Sequence, residues 1–134
     1  MKTRPWTDPV LLSNVLFVGN AVLYAIAGAA MPALAMLLCA GASITYHYSH
    51  EWEVVRPFDV YVAYMTLGLT VGYAAASEVH PIVWVVALLC LGAGLIAKKK
   101  SDLDADAYGR WHTIWHVFVA LGQAELALGL KVLQ

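Results

Sequence analysis

Trp111-His112-Thr113-Ile114-Trp115-His116 opens the last apolar run of the chain, Arg110 to Leu130, and the way this run reads decides the fold. Its length matches the roughly 20 residues with which a helix crosses a bilayer core of about 30 Å. At its start two histidines stand four apart, so on a helix of 3.6 residues per turn they share one face, about 6 Å from each other. A single helix grips a transition metal with such a pair, but the pair is only part of a ligand set. The rest of the chain has to supply both the helices that pack around this one and the missing ligands.

Composition points the same way. The chain has 134 residues, the length of one domain, and is 61% hydrophobic and 13% charged, against about 45–50% and 25% in soluble proteins. It reads as an all-α integral membrane bundle. A formal net charge of −1 gives no basic excess for nucleic acid. Cys39 and Cys90 lie in separate apolar runs, so they offer neither a disulfide framework nor a CxxC motif and read as small buried hydrophobes. Met1-Lys2-Thr3-Arg4 ahead of an apolar run, with Ala27-Gly28-Ala29 at its end, has the outline of a signal peptide. The run is long for a signal core and is read as a retained first span.

Five spans are expected, at about residues 9–30, 32–50, 58–76, 81–97 and 110–130. Pro9, Pro32, Pro57 and Pro81 stand at or beside their starts, where a missing N–H costs nothing. The joints are short, which predicts antiparallel packing of successive helices. Lys2, Arg4, Arg56, Lys98, Lys99, Lys100 and Arg110 fall on the side of the N-terminus and only Lys131 on the other, so the positive-inside rule places the N-terminus in the cytoplasm. The expected location is a plasma membrane, taken as a bacterial inner membrane. Trp6, Trp52, Trp84 and Trp111 read as anchors at its interfaces.

Polar residues recur at helical period, as a bundle with a polar interior requires. Asp59, Thr66, Thr70 and Tyr73 fall on one face of the third span, and Met36, Cys39, Ser43, His47 and His50 on one face of the second. Asn14 heads a stripe of small residues in the first, Val18, Ala21, Ala25 and Gly28, suited to close packing. The fourth span has no ionisable residue and is expected to lie against lipid without a part in chemistry. Gln123 shares the face of His112 and His116 further along, as a cavity-lining residue would; Glu125 points elsewhere.

Laid up and down, the spans bring His47, Asp59, His112 and His116 to one depth, a turn or two inside the cytoplasmic interface. Three imidazoles with an open fourth position suit zinc, which lowers the pKa of a bound water toward about 7. Burying these groups in an apolar bundle without a metal would be costly. Asp59 is then the candidate base for that water, and Ser43, one turn from His47, the candidate to orient the water or donate to an oxyanion.

These residues resemble a known family. Ser43-Ile44-Thr45-Tyr46-His47 is similar to its SxxxH element, Asp59 to the lone aspartate of the following helix, and His112-Thr113-Ile114-Trp115-His116 to the HxxxH element of the CREST superfamily, which includes alkaline ceramidases and progestin and adiponectin receptors. The resemblance implies a zinc-dependent membrane amidase or related lipid hydrolase with the three histidines as ligands. Members usually have seven spans; five are counted here, which preserves the direction of the last helix but points to a homodimer to complete the cavity walls. The acidic calcium-binding segment of the ceramidases has no counterpart in Trp6-Thr7-Asp8-Pro9, so ceramide specificity is not carried over.

Two other functions fit the same residues. One is a haem-binding membrane anchor with His47 and one fifth-span histidine as axial ligands; the other keeps the metal in a receptor-like or structural site without turnover. His50 and Glu51 are read as solvated interface residues rather than ligands, and His80 as a loop residue. Asp102, Asp104 and Asp106 alternate like a calcium loop but lack its glycine and terminal glutamate, and are read as a solvated linker able to cap the last helix.

Overall fold

The computed structural model describes residues 4–49 and 53–131. Lys2, His50, Glu51 and Trp52, which entered the topology, ligand and anchor assignments, lie outside the described residues, as does the side chain of Lys131. The described chain is all helical: α1 (Pro9–Leu12), α2 (Val15–Ile26), α3 (Ala30–Tyr48), α4 (Arg56–Ala76), α5 (Pro81–Leu103) and α6 (Tyr108–Lys131). Among the described residues, four stretches are long and apolar enough to cross a membrane: α1 with α2, α3, α5 and α6. Helix α4 is long enough at 21 residues but is diluted by Arg56, Asp59, Thr66 and Thr70. The architecture is a membrane bundle of four to five long apolar helices.

The first span differs from the single helix expected over residues 9–30. It breaks at Ser13 and Asn14, because their side chains compete for the carbonyls that the helix would use. Ser13 Oγ donates to Val10 O at 2.8 Å and Asn14 Nδ2 to the same oxygen at 3.0 Å. The span also ends early, at Gly28. There φ is 69°, and Ala29 N donates to Tyr24 O while Gly28 N donates to Ala25 O, a paired closure that favours glycine in the left-handed position. Gly28 is thus a helix terminator and not the end of a packing stripe.

The fourth span is corrected as well. It runs on through the lysines to Leu103, held by Lys98 Nζ donating to both carboxylate oxygens of Asp102 and by Ser101 Oγ donating to Lys98 O at 2.7 Å. His80 is more than a loop residue, since its Nδ1 accepts from Ile82 N and caps α5. Asp104 takes the capping role foreseen for the acidic run: its Oδ1 accepts from Ala107 N at 3.0 Å, one residue before α6.

Helix α6 is the hub, packed against α1, α2, α4 and α5, while α3 packs against α1, α2 and α4. The core is rich in alanine, including Ala21, Ala33, Ala40, Ala87, Ala120 and Ala127 around Tyr24 and Leu126. Small side chains let helices approach closely where lipid removes any hydrophobic drive between them. The tightest approach is α6 to α5 and the loop before it: a Cβ on Gly129 would stand 2.8 Å from Val79 Cγ1, and one on Gly94 3.1 Å from Trp115 Cε3. Consecutive helices are not all neighbours. Helices α4 and α5, joined by residues 77–80, do not pack along their lengths, contrary to the expectation from short joints; Glu78 turns the chain there with φ at 53°.

Candidate metal centre

Helix α3 presents Met36, Cys39, Ser43 and His47 as a buried stripe, and α6 presents His112 and His116 across from it. The three imidazoles meet. His47, His112 and His116 each offer a ring nitrogen within 4.8 Å of the others, all buried, and form a cluster that can hold a metal ion. The ring centroids lie 4.7 Å apart for His47 and His112, 5.7 Å for His47 and His116, and 4.8 Å for His112 and His116. Three aromatic rings hold the imidazoles from outside: Phe17 edge-on to His116, Tyr46 tilted on His47 and Tyr108 stacked on His112.

The donor set fits a metal on two observations. His112 Nδ1 is buried with no hydrogen-bond partner among the described residues, a costly state for an imidazole that a metal bond would relieve. His116 is oriented from behind. Its Nδ1 lies 2.7 Å from Ser13 Oγ, which also lies 2.8 Å from Val10 O, so both hydrogen bonds are made together only when the imidazole donates. That tautomer leaves the Nε2 lone pair free, the arrangement in which metal-binding histidines are usually held.

A cavity of about 540 Å³ adjoins the cluster and includes His112, His116, Ser43 and Asp59 in its wall; that volume is in the usual range of about 300–1,000 Å³ for a ligand site. Ser43 Oγ is buried there without a hydrogen-bond partner among the described residues. Asp59 is half-buried in the cavity wall, in the first turn of α4. Below them Gln123 also lines the cavity, its Oε1 accepting from Tyr24 OH at 2.8 Å. Thr66 and Thr70 are buried as expected, and Thr66 Oγ1 bonds Ala35 O on α3; Tyr73, on the same stripe, is instead turned outward.

The cavity's outer end is charged. Arg4, Glu53, Arg56, Lys98 and Asp102 stand in its wall, so several of the cations used for topology gather at one end of the bundle. Arg4 is tied there, donating through Nη1 to Asp8 Oδ2 at 2.9 Å and through its backbone N to Tyr48 O at 3.1 Å. Trp6 stacks on Tyr48 at 4.6 Å, and Lys100 lies over the Trp111 ring.

Ser13 and Lys98 escaped the sequence reading. Ser13 stands next to Asn14, the head of the small-residue stripe; counting residues inward from the start of the span puts Ser13 at the depth of the histidines. Lys98 was assigned to a loop, and the helical i, i+4 spacing to Asp102 was the signal that α5 continues. No family model, curated protein or solved structure matches this chain.

Proposed function

We propose that this protein is a zinc-dependent intramembrane hydrolase that cleaves an amide or ester bond of a lipid, with the N-terminus and the metal site toward the cytoplasm. The observation that carries the reading is the buried triad His47, His112 and His116, three nitrogens within 4.8 Å, opening on a cavity that also holds a carboxylate and a hydroxyl. Three neutral imidazoles and an open position are the donor set of catalytic zinc, which supplies an activated water near neutral pH. Asp59, in the wall of the same cavity, would accept the proton of the attacking water and return it to the leaving group. Ser43, whose hydroxyl has no other hydrogen-bond partner among the described residues, donates to the oxygen on which charge develops. Ser13 holds His116 in its metal-binding tautomer.

The lysines and arginines at the cavity's end of the bundle support the cytoplasmic orientation, and a bacterial inner membrane is the compartment proposed. A homodimer goes with the small number of helices. The haem reading is not favoured, because rings with centroids 4.7–5.7 Å apart leave no slot for a porphyrin between them. The test is elemental analysis of purified protein together with hydrolysis of labelled acyl amides and esters. About one zinc per chain is expected, with Asp59→Ala retaining zinc and losing turnover. Zinc with no turnover on any substrate would favour the receptor-like or structural site, and protein without metal would sink both.

A further inference from the structure

The gap between α4 and α5 opens on the same cavity as the histidines. Val60, Ala63, Tyr64 and Leu67 of α4 and Leu95 of α5 line the cavity, yet Tyr64 is 69% exposed, Leu95 58% and Val60 40%. Residues that line a cavity and also face outward form the lips of an opening. Its depth follows from the polar ends of the helices. Ala63 lies seven residues after Arg56, the start of α4, about 10 Å inward, and Leu95 lies three residues inward of Lys98, the first of the lysines, within the apolar stretch of α5. Apolar residues just inside the charged end face the hydrocarbon of a bilayer.

We propose that the seam between α4 and α5 is a side door through which one acyl chain of a bilayer lipid enters the cavity, while water and polar product pass through the charged end near Arg56 and Asp102. The energetics separate the two routes. Drawing an acyl chain out through the polar end exposes methylenes to water at about 0.8 kcal/mol each, on the order of 10 kcal/mol for an ordinary chain. The side door costs none of this, because the chain leaves hydrocarbon for a wall of Phe17, Met36, Leu67 and Val119. The door stays open because α6 keeps α4 and α5 apart, packing against both, with Trp115 seated on Gly94 of α5. What the entering chain is for rests on the hydrolase reading; that it enters does not.

The test is photolabelling of the full chain in phosphatidylcholine vesicles that contain a phosphatidylcholine with a mid-chain diazirine, with adducts located by peptide mass spectrometry. Met36 and Phe17 are 2% and 5% exposed and line the cavity, so they are labelled only if a chain has come inside. Adducts on both are expected in the native chain. Ala63→Trp, filling the door, should lower them about ten-fold and leave labelling of the outward-facing Leu88 and Leu89 unchanged. Leu95→Trp on the opposite lip serves if Ala63→Trp does not fold. Absence of Met36 and Phe17 adducts in the native chain, or adducts undiminished in a folded door variant, overturns the proposal. The readout needs neither zinc nor turnover. Inside labelling without hydrolysis keeps the door and sinks the hydrolase, and hydrolysis without inside labelling does the reverse.

Discussion

The two halves of α6 carry the same helical stripe to different ends. In the half that begins at Tyr108 the stripe is His112 and His116, imidazoles facing His47 and the cavity; in the half that ends at Lys131 it passes Gln123, which still lines the cavity, and continues as Ala127 and Leu130, closed against the core. The opposite side of the helix differs too. Gly122 brings α6 against Ala87 O of α5, and Gly129 presses it on Val79 and Val83, whereas Trp115 stands out between Gly94 and the cavity. Small residues let backbones touch and close the far half, while rings hold the near half open and give it polar atoms to satisfy. One helix therefore serves as both a packing element and a site, and polar cost is concentrated where a ligand can offset it.

The largest expected effect breaks the near half alone. On the proposed zinc site His116→Ala removes one of three ligands, so bound zinc should fall from about one per chain to background, measured by elemental analysis after gel filtration in detergent, with helical circular dichroism unchanged. Loss of helix together with zinc would show that the halves are not separable. Ser13→Ala is next, since it leaves the triad complete but removes the bond to His116 Nδ1. Loss of such an orienting partner typically costs about 10–100-fold in metal affinity, to be read by competition with a fluorescent zinc chelator; an affinity equal to that of the native chain would deny Ser13 this role.

The converse experiment targets the far half. Gly129→Ala places a methyl where Val79 and Val83 stand, and overpacking of this kind costs about 1–3 kcal/mol. The lower end is expected, because Val79 lies in the loop before α5 and can shift. Thermal unfolding should register the loss while zinc affinity stays as it was. The smallest effect lies outside the membrane, where the chain enters the near half. Burial pushes the Asp8 carboxyl up, but the hydrogen bonds from Arg4 and Val10 N–H and the guanidinium charge outweigh it and hold it below 3.8. A lowered carboxyl stabilises the fold above its unfolded pKa, and the contribution disappears as pH falls through the folded value. Asp8→Asn keeps the cap and loses the ion pair, so it should cost about 0.2–1 kcal/mol near neutral pH. Unfolding midpoints of the two proteins should converge once the pH passes below the folded value; a constant gap would assign the effect to packing.

Much of the site was legible because helix period and depth are one-dimensional quantities. The spacing of His112 and His116, the stripe of Ser43 and His47, and the distance of each from the end of its run required only 3.6 residues per turn and alternating direction, and the three imidazoles do meet. The break at Ser13 was not legible, because it depends on which of two acceptors, a local carbonyl or a helix partner, the side chains capture. The extension of α5 past Lys98 turned on whether Lys98, Lys99 and Lys100 continue a helix or join a loop, and composition favoured the loop.

By itself the sequence determined an all-helical membrane bundle, the residues that form the histidine cluster, and the end of the bundle at which they gather, because all three follow from hydropathy, charge and periodicity along one chain. Only the tertiary structure decided that α6 is the hub, that Ser13 stands behind His116, and that α4 and α5 do not pack along their lengths. Those depend on how side-chain volumes on different helices fit together, and no single helix carries that information.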